Sequence, residues 1–174
     1  MVVRYNACDH CWGLSSLELP TSTRRVVDEL RARGLEIEIL ISTETTRSAA
    51  EAAAALSASV GQIVKSLVFL VDDKPILALM SGANRLAESK LADAVGGVKV
   101  KRATAEQVRA HTTFVIGGVP PISLNPEVRV LCDTDLTLYP VLYAAAGTPN
   151  HNFAIAPDRL VEIARAELAD LKVD

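Results

Sequence analysis

The chain has 174 residues, 49% hydrophobic and 22% charged, which suits one soluble globular domain with its own core; with only 4% aromatic residues, aliphatic side chains must fill it. No apolar run approaches the roughly 18 residues of a membrane span, the first eleven residues hold no signal-like apolar stretch, and three cysteines are an odd number; this argues against a spanning helix, secretion and a disulfide framework, and a cytoplasmic location is expected. The net charge of −3 is uneven: within residues 85–109, Arg85, Lys90, Lys99, Lys101, Arg102 and Arg109 outnumber Glu88, Asp93 and Glu106, so an acidic chain has a basic middle that could face phosphates or simply be a solvated surface.

Residues 1–18 lack periodicity and hold two of the three cysteines and the only Trp, so a poorly ordered extension is expected before a domain spanning 19–174. Cys8-Asp9-His10-Cys11 has CxxC spacing, but a structural zinc site needs four ligands and no second pair is present downstream. After Pro20, Thr21 or Ser22 can cap a helix with Val26, Val27 and Leu30 on one face, and Gly34 is placed to end it. Residues 36–41 alternate as a half-buried strand does. Ser48-Ala49-Ala50-Glu51 has the form of a capping box before an alanine-rich helix reaching Leu56. The apolar runs 63–71 and 75–80, separated by Asp72-Asp73, predict a β-hairpin in mid-sheet.

Residues 86–95 form a short helix closed by Gly96-Gly97, 98–101 a strand, and Thr104 caps a helix through about Arg109. Strands are expected at 114–116, 128–132, 138–145 and 153–155, with a turn at Gly147-Thr148-Pro149-Asn150. Pro157 suits the first position of a last helix running to about Leu171. Strands and helices mix without strict βαβ alternation, which predicts an α+β fold with a mixed, strongly curved sheet.

Three features could carry chemistry. Lys65 interrupts an otherwise apolar strand, where a lysine must find a partner, reach water or lose its charge. Gly117-Gly118-Val119-Pro120-Pro121 joins glycines, which let a ligand approach the backbone, to prolines, which stiffen the end of the loop; a plain turn is the bland alternative. Ser81-Gly82-Ala83-Asn84-Arg85 is a polar loop after a buried strand, whose arginine could bind a phosphate or cap a helix.

Together these resemble the YbaK/ProX family of aminoacyl-tRNA deacylases, which includes the editing domain inserted in bacterial prolyl-tRNA synthetases. The matching pieces, in the family's order, are Thr46-Arg47-Ser48-Ala49, Ile63-Val64-Lys65-Ser66-Leu67-Val68-Phe69, Gly82-Ala83-Asn84-Arg85-Leu86 with Lys90-Leu91, Ile116-Gly117-Gly118-Val119-Pro120-Pro121, Ala145-Ala146-Gly147-Thr148-Pro149-Asn150 and Pro157-Asp158-Arg159-Leu160. The resemblance implies a YbaK-like partial barrel with flanking helices and hydrolysis of the ester between a non-cognate amino acid and tRNA. It implies no metal and no organic cofactor. The partner would be the tRNA acceptor end, with an aminoacyl-tRNA synthetase as a further candidate and neither membrane nor DNA.

By the same resemblance, Lys65 contacts the terminal nucleotide, and Gly117 and Gly118 line the aminoacyl pocket and hold the ester carbonyl. Gly118 is expected to let that ester approach the backbone. Thr46, Ser81, Gly82, Asn84, Arg85, Val119, Pro120, Gly147 and Asn152 are the expected substrate-binding residues. No Ser-His-Asp or Cys-His arrangement is visible, so water or a substrate group would attack. The chain departs from many relatives at Ile122-Ser123-Leu124, where they carry Phe-Gly and often His, and at Asn152, where members acting on cysteinyl-tRNA carry an Asp. A non-catalytic adaptor and a small-molecule esterase on the same scaffold are the alternatives.

Overall fold

The computed structural model describes residues 2–6, 18–42 and 48–174. In chain order they form β1 (Val2–Asn6), α1 (Thr21–Ala32), β2 (Glu38–Ser42), α2 (Ala49–Leu56), β3 (Val64–Val71) and β4 (Lys74–Ser81). Then come α3 (Glu88–Val95), β5 (Val100–Arg102), α4 (Ala105–Thr112), β6 (Arg129–Asp133), β7 (Leu142–Thr148), β8 (His151–Ile155), α5 (Pro157–Ala164) and β9 (Glu167–Ala169). One sheet is antiparallel in the order β1-β2-β8-β7; the other is mixed, β5-β3-β4-β6-β9, with β4-β6 and β6-β9 parallel. A single parallel bridge, Ile63 to Tyr143, joins the sheets at one corner. The α+β fold, with a mixed sheet that does not close into a barrel, is as expected.

Burial explains why the hairpin reads as unbroken hydrophobicity. Strand β4 has apolar neighbours on both faces: Leu77 and Leu79 enter the main core with Val26, Leu30, Ile39, Phe153 and Leu160. Ile76, Ala78 and Met80 enter a second core with Leu91 and Leu171. The β3-β4 turn places Asp72 and Asp73 at φ 48° and 63°, a left-handed pair that Asp tolerates. Asp72 also accepts hydrogen bonds from the Val98 and Lys99 amides, at 3.0 and 2.9 Å, which pins the α3-β5 connection to this turn.

Four local readings are corrected. Val2–Asn6, inside the expected poorly ordered extension, pairs antiparallel with β2 as an edge strand, whereas Cys8-x-x-Cys11 lies outside the described residues. Residues 114–116 are loop, since Phe114 is anchored in the core while Val115 and Ile116 face outward. Residues 138–141 precede strand β7 rather than belonging to it: Thr134–Leu138 is a 3₁₀ turn that buries Leu136. The last helix stops at Ala164, where Arg165 takes a left-handed φ of 50°; the chain then runs as β9 beside β6 and delivers Leu171, wholly buried, to the second core.

Candidate active site

Strand β3 pairs along its whole length with β4; on its other edge β5 pairs with residues 69–71, and β7 makes a backbone bridge to Ile63, just before the strand. The Val68 carbonyl still accepts the Ala103 N–H at 3.1 Å, while the edge at residues 64–67 is left without a ladder partner. Helix α2, the loop at 116–119 and the β7-β8 hairpin close around it, leaving a cavity of about 310 Å³. Its walls are mainly apolar, from Ala49, Ala52, Ile63, Leu67, Val119 and Pro149, with Lys65, Ser66 and Asn152 as polar points. Among the described residues no carboxylate, histidine or cysteine lines it.

Lys65 is half-buried. Its ammonium donates to the carbonyl oxygens of Gly82, at 3.3 Å, and of Asn84. Burial, then repulsion from Arg102, lowers its pKa from the usual lysine value. The Asn84 side chain turns away from the cavity and donates to Asp133 Oδ2 at 3.0 Å and Asp135 Oδ2 at 2.9 Å. Lys172 in turn lies 2.9 Å from both Asp135 oxygens, and holds that carboxyl below its usual range together with Asn84.

The glycine loop divides in two. Gly117, at φ 85°, and Val119 line the cavity, and their amide N–H groups donate to no acceptor among the described residues. Gly118 does not line it: its N–H closes a turn onto Val115 O at 2.9 Å, and it packs against the backbone of Gly147 and Thr148. The expected approach of an ester to Gly118 is corrected accordingly, and Gly117 with Val119 offers the free donors. Among the other lining residues, the Ser66 hydroxyl and the Asn152 Nδ2 are buried without a hydrogen-bond partner. Asn152 is only 6% exposed, and a buried donor left unpaired costs about 1–3 kcal/mol.

Of the sequence-derived residues, Lys65, Gly117, Val119 and Asn152 meet at the cavity. Ser81, Gly82 and Gly147 support it from behind, and Pro120 is buried without lining it. Ser81 donates to Gly61 O at 2.8 Å, a side chain on Gly82 would run into the Val60 carbonyl, and Gly147, at φ 90°, abuts the backbone of α1. Asn84 reaches the site only through its carbonyl. Arg85 is exposed, with no side-chain partner among the described residues. Thr46 lies outside the described residues. Ser48, Ala49, Ala52, Ser66, Ile116, Ala145 and Pro149 line the cavity without having been named as site residues. Ser66 could have been found as the second polar residue of an apolar strand; the alanines carry no chemical signal.

The fold and cavity define an α+β domain with a mainly apolar cavity that Lys65, Gly117 and Val119 help to line. The sequence profile of the aminoacyl-tRNA editing domain matches residues 43–163, and the chain belongs to that family. A solved structure described as a candidate trans-editing enzyme for prolyl tRNA synthetase superposes with TM-score 0.85 at 44% identity, covering 90% of this chain and 100% of that one. A protein of Enterococcus faecalis named as a candidate Cys-tRNA(Pro)/Cys-tRNA(Cys) deacylase is 26% identical over 152 residues, 87% of this chain and 92% of its own length. The Proline--tRNA ligase of Streptococcus equi is 26% identical over 159 residues, 91% of this chain; the chain spans only 25% of that ligase. The resemblance drawn from the sequence is thereby borne out.

Proposed function

We propose that the chain is a trans-acting deacylase that hydrolyses the ester of a mischarged aminoacyl-tRNA in the cytoplasm. The observation that carries the reading is one cavity lined by Lys65, Gly117 and Val119, the last two with backbone N–H groups that bond to no acceptor among the described residues. The cavity admits a small aminoacyl group, and its apolar walls exclude bulk water from the ester. In this reading the two amides receive the ester carbonyl and the oxyanion that develops on it; such donors act strongly because they are fixed before the charge appears. Lys65 offers its charge to the phosphate or ribose of the terminal nucleotide. The described walls bring the hydroxyls of Ser48 and Ser66 but no carboxylate or imidazole to activate them, so water or a hydroxyl of the substrate attacks.

The test is single-turnover deacylation on a panel of mischarged tRNAs, with circular dichroism as the folding control. Loss of one charge-assisted hydrogen bond, about 1.5–3 kcal/mol, makes Lys65→Ala slower by roughly tenfold to a hundredfold. Lys65→Arg restores the rate only in part, because a planar guanidinium does not fit an ammonium's place. A folded Lys65→Ala variant with the wild-type rate overturns this assignment. A wild-type protein that binds the tRNAs without hydrolysing any of them marks an adaptor instead.

A further inference from the structure

We propose that Asn84 is the positioning residue of Lys65: it clamps the lysine ammonium with its backbone carbonyl while its side-chain amide is fixed by Asp133 and Asp135. The inference rests on the deacylase reading above, since it concerns how that site's cation is held. Lysine ends a flexible four-carbon stem, and Lys65 sits where one strand edge has no ladder partner, so the strand alone does not fix where its charge lies. The fixing comes from the carbonyls of Gly82 and Asn84, which belong to the turn after β4.

That turn is held from the side away from the cavity. The Asn84 amide has two N–H donors and meets two carboxylates, at 3.0 and 2.9 Å. Asp133 is wholly buried and also accepts the Leu171 N–H at 3.1 Å. The C-terminal segment adds Ala87 N–H to Leu171 O at 2.8 Å and Val173 N–H to Arg85 O at 2.9 Å. Aspartate at position 84 would bring a third carboxylate to the pair, and alanine would leave both without their shared donor. An asparagine therefore satisfies the carboxylates behind it and presents an acceptor to the lysine in front.

The test is a double-mutant cycle of Asn84→Ala and Lys65→Met, read by single-turnover deacylation and its pH profile. A parallel arm follows the labelling rate of Lys65 by trinitrobenzenesulfonate, located by mass spectrometry. In the native background Asn84→Ala slows turnover roughly tenfold or more through lost positioning, moves the alkaline limb to lower pH as the ammonium loses an acceptor, and speeds Lys65 labelling. In the Lys65→Met background the same substitution has little further effect, because the two residues act as one unit. Equal rate losses in both backgrounds, or unchanged labelling of Lys65, overturns the proposal. If Asn84→Ala does not fold, Asp135→Asn removes one of the two carboxylates and shifts labelling in the same direction by less; no shift counts against the clamp. Inactivity of the wild type on every tRNA removes the deacylase reading, while the labelling arm still decides whether Asn84 holds the lysine.

Discussion

A Cβ built on Gly118 would lie 2.8 Å from both the Gly147 carbonyl oxygen and the Thr148 Cα, so any side chain must push strand β7 away from the loop. Both neighbours are backbone and neither can rotate aside. Gly118→Ala is therefore expected to lower stability by about 1–3 kcal/mol, as overpacking does, and a shift of the urea midpoint checks it. His151 gives a second prediction at this scale. Its Nδ1 lies 2.5 Å from the Thr148 hydroxyl across the β7-β8 turn, and burial lowers its pKa. A histidine titrating lower in the folded state than in the unfolded one adds stability that is full above the unfolded value of about 6.5 and is lost as pH falls through the folded value. The melting temperature should begin to fall just below pH 6.5, and His151→Gln should flatten that first decline. The later loss, near pH 4 and below, should remain, because it comes from Asp72, Asp135, Asp170 and Glu167, all held below their usual range. An unchanged first decline in His151→Gln would assign it elsewhere.

Helix α2 shows how a cap can matter to a site. It has only eight residues, too few to hold alone, and its Ser48 hydroxyl accepts the Glu51 N–H at 3.2 Å while the Glu51 carboxylate accepts the Ser48 N–H at 3.3 Å. Because Ala49 and Ala52 wall the cavity, Ser48→Ala should cost about 1 kcal/mol of stability and raise KM more than it lowers kcat, as a frayed wall weakens substrate holding before chemistry. Steady-state kinetics beside thermal melts decide it. This box and the 72–73 hairpin turn were legible in the sequence because their signals lie within a few residues. The end of α5 was not: Arg165 carries no stop signal, and the reason to leave the helix is Leu171, whose burial against Leu91 and Met80 is set by distant chain. The glycine loop was half legible. Its composition marked a place where backbone meets something, but which glycine faces ligand and which faces Gly147 depends on the tertiary approach of β7. Lys65 stood out because a charge in a buried strand is locally costly, whereas the partner that holds it is a main-chain carbonyl nineteen residues away, which side-chain types do not announce.

At the scale of the whole molecule, the proposed tRNA substrate requires a chain of net charge −3 to meet a polyanion. Lys90 leaves the expected basic set, since Asp170 and Asp174 engage it at 2.9 and 2.6 Å. Lys99, Lys101 and Arg102 are exposed at or beside β5, which borders β3 beyond the cavity edge, and Arg85 is exposed on the turn that holds Lys65. Arg102 pairs with Phe69 on β3, the strand that carries Lys65, and its charge adds to the lowering of the Lys65 pKa. Lys101 is only loosely matched by Asp73, 4.0 Å away with both side chains exposed, an arrangement worth little in water. If three or four of these cations meet phosphates of the acceptor stem, log affinity should fall with log salt with a slope of about −2 to −4, and a fourfold rise in salt should weaken tRNA binding by roughly ten- to a few hundredfold. Cleavage of an aminoacyl-adenosine, which enters the cavity without a stem, should change far less over the same range. Arg102→Gln should reduce the slope by about one unit, while Lys90→Gln, which removes a cation already neutralised, should leave it unchanged. Binding isotherms at four salt concentrations for the three proteins give the slopes directly. Equal salt sensitivity for tRNA and the small substrate, or equal slopes for the wild type and Arg102→Gln, would move the tRNA contact off this face.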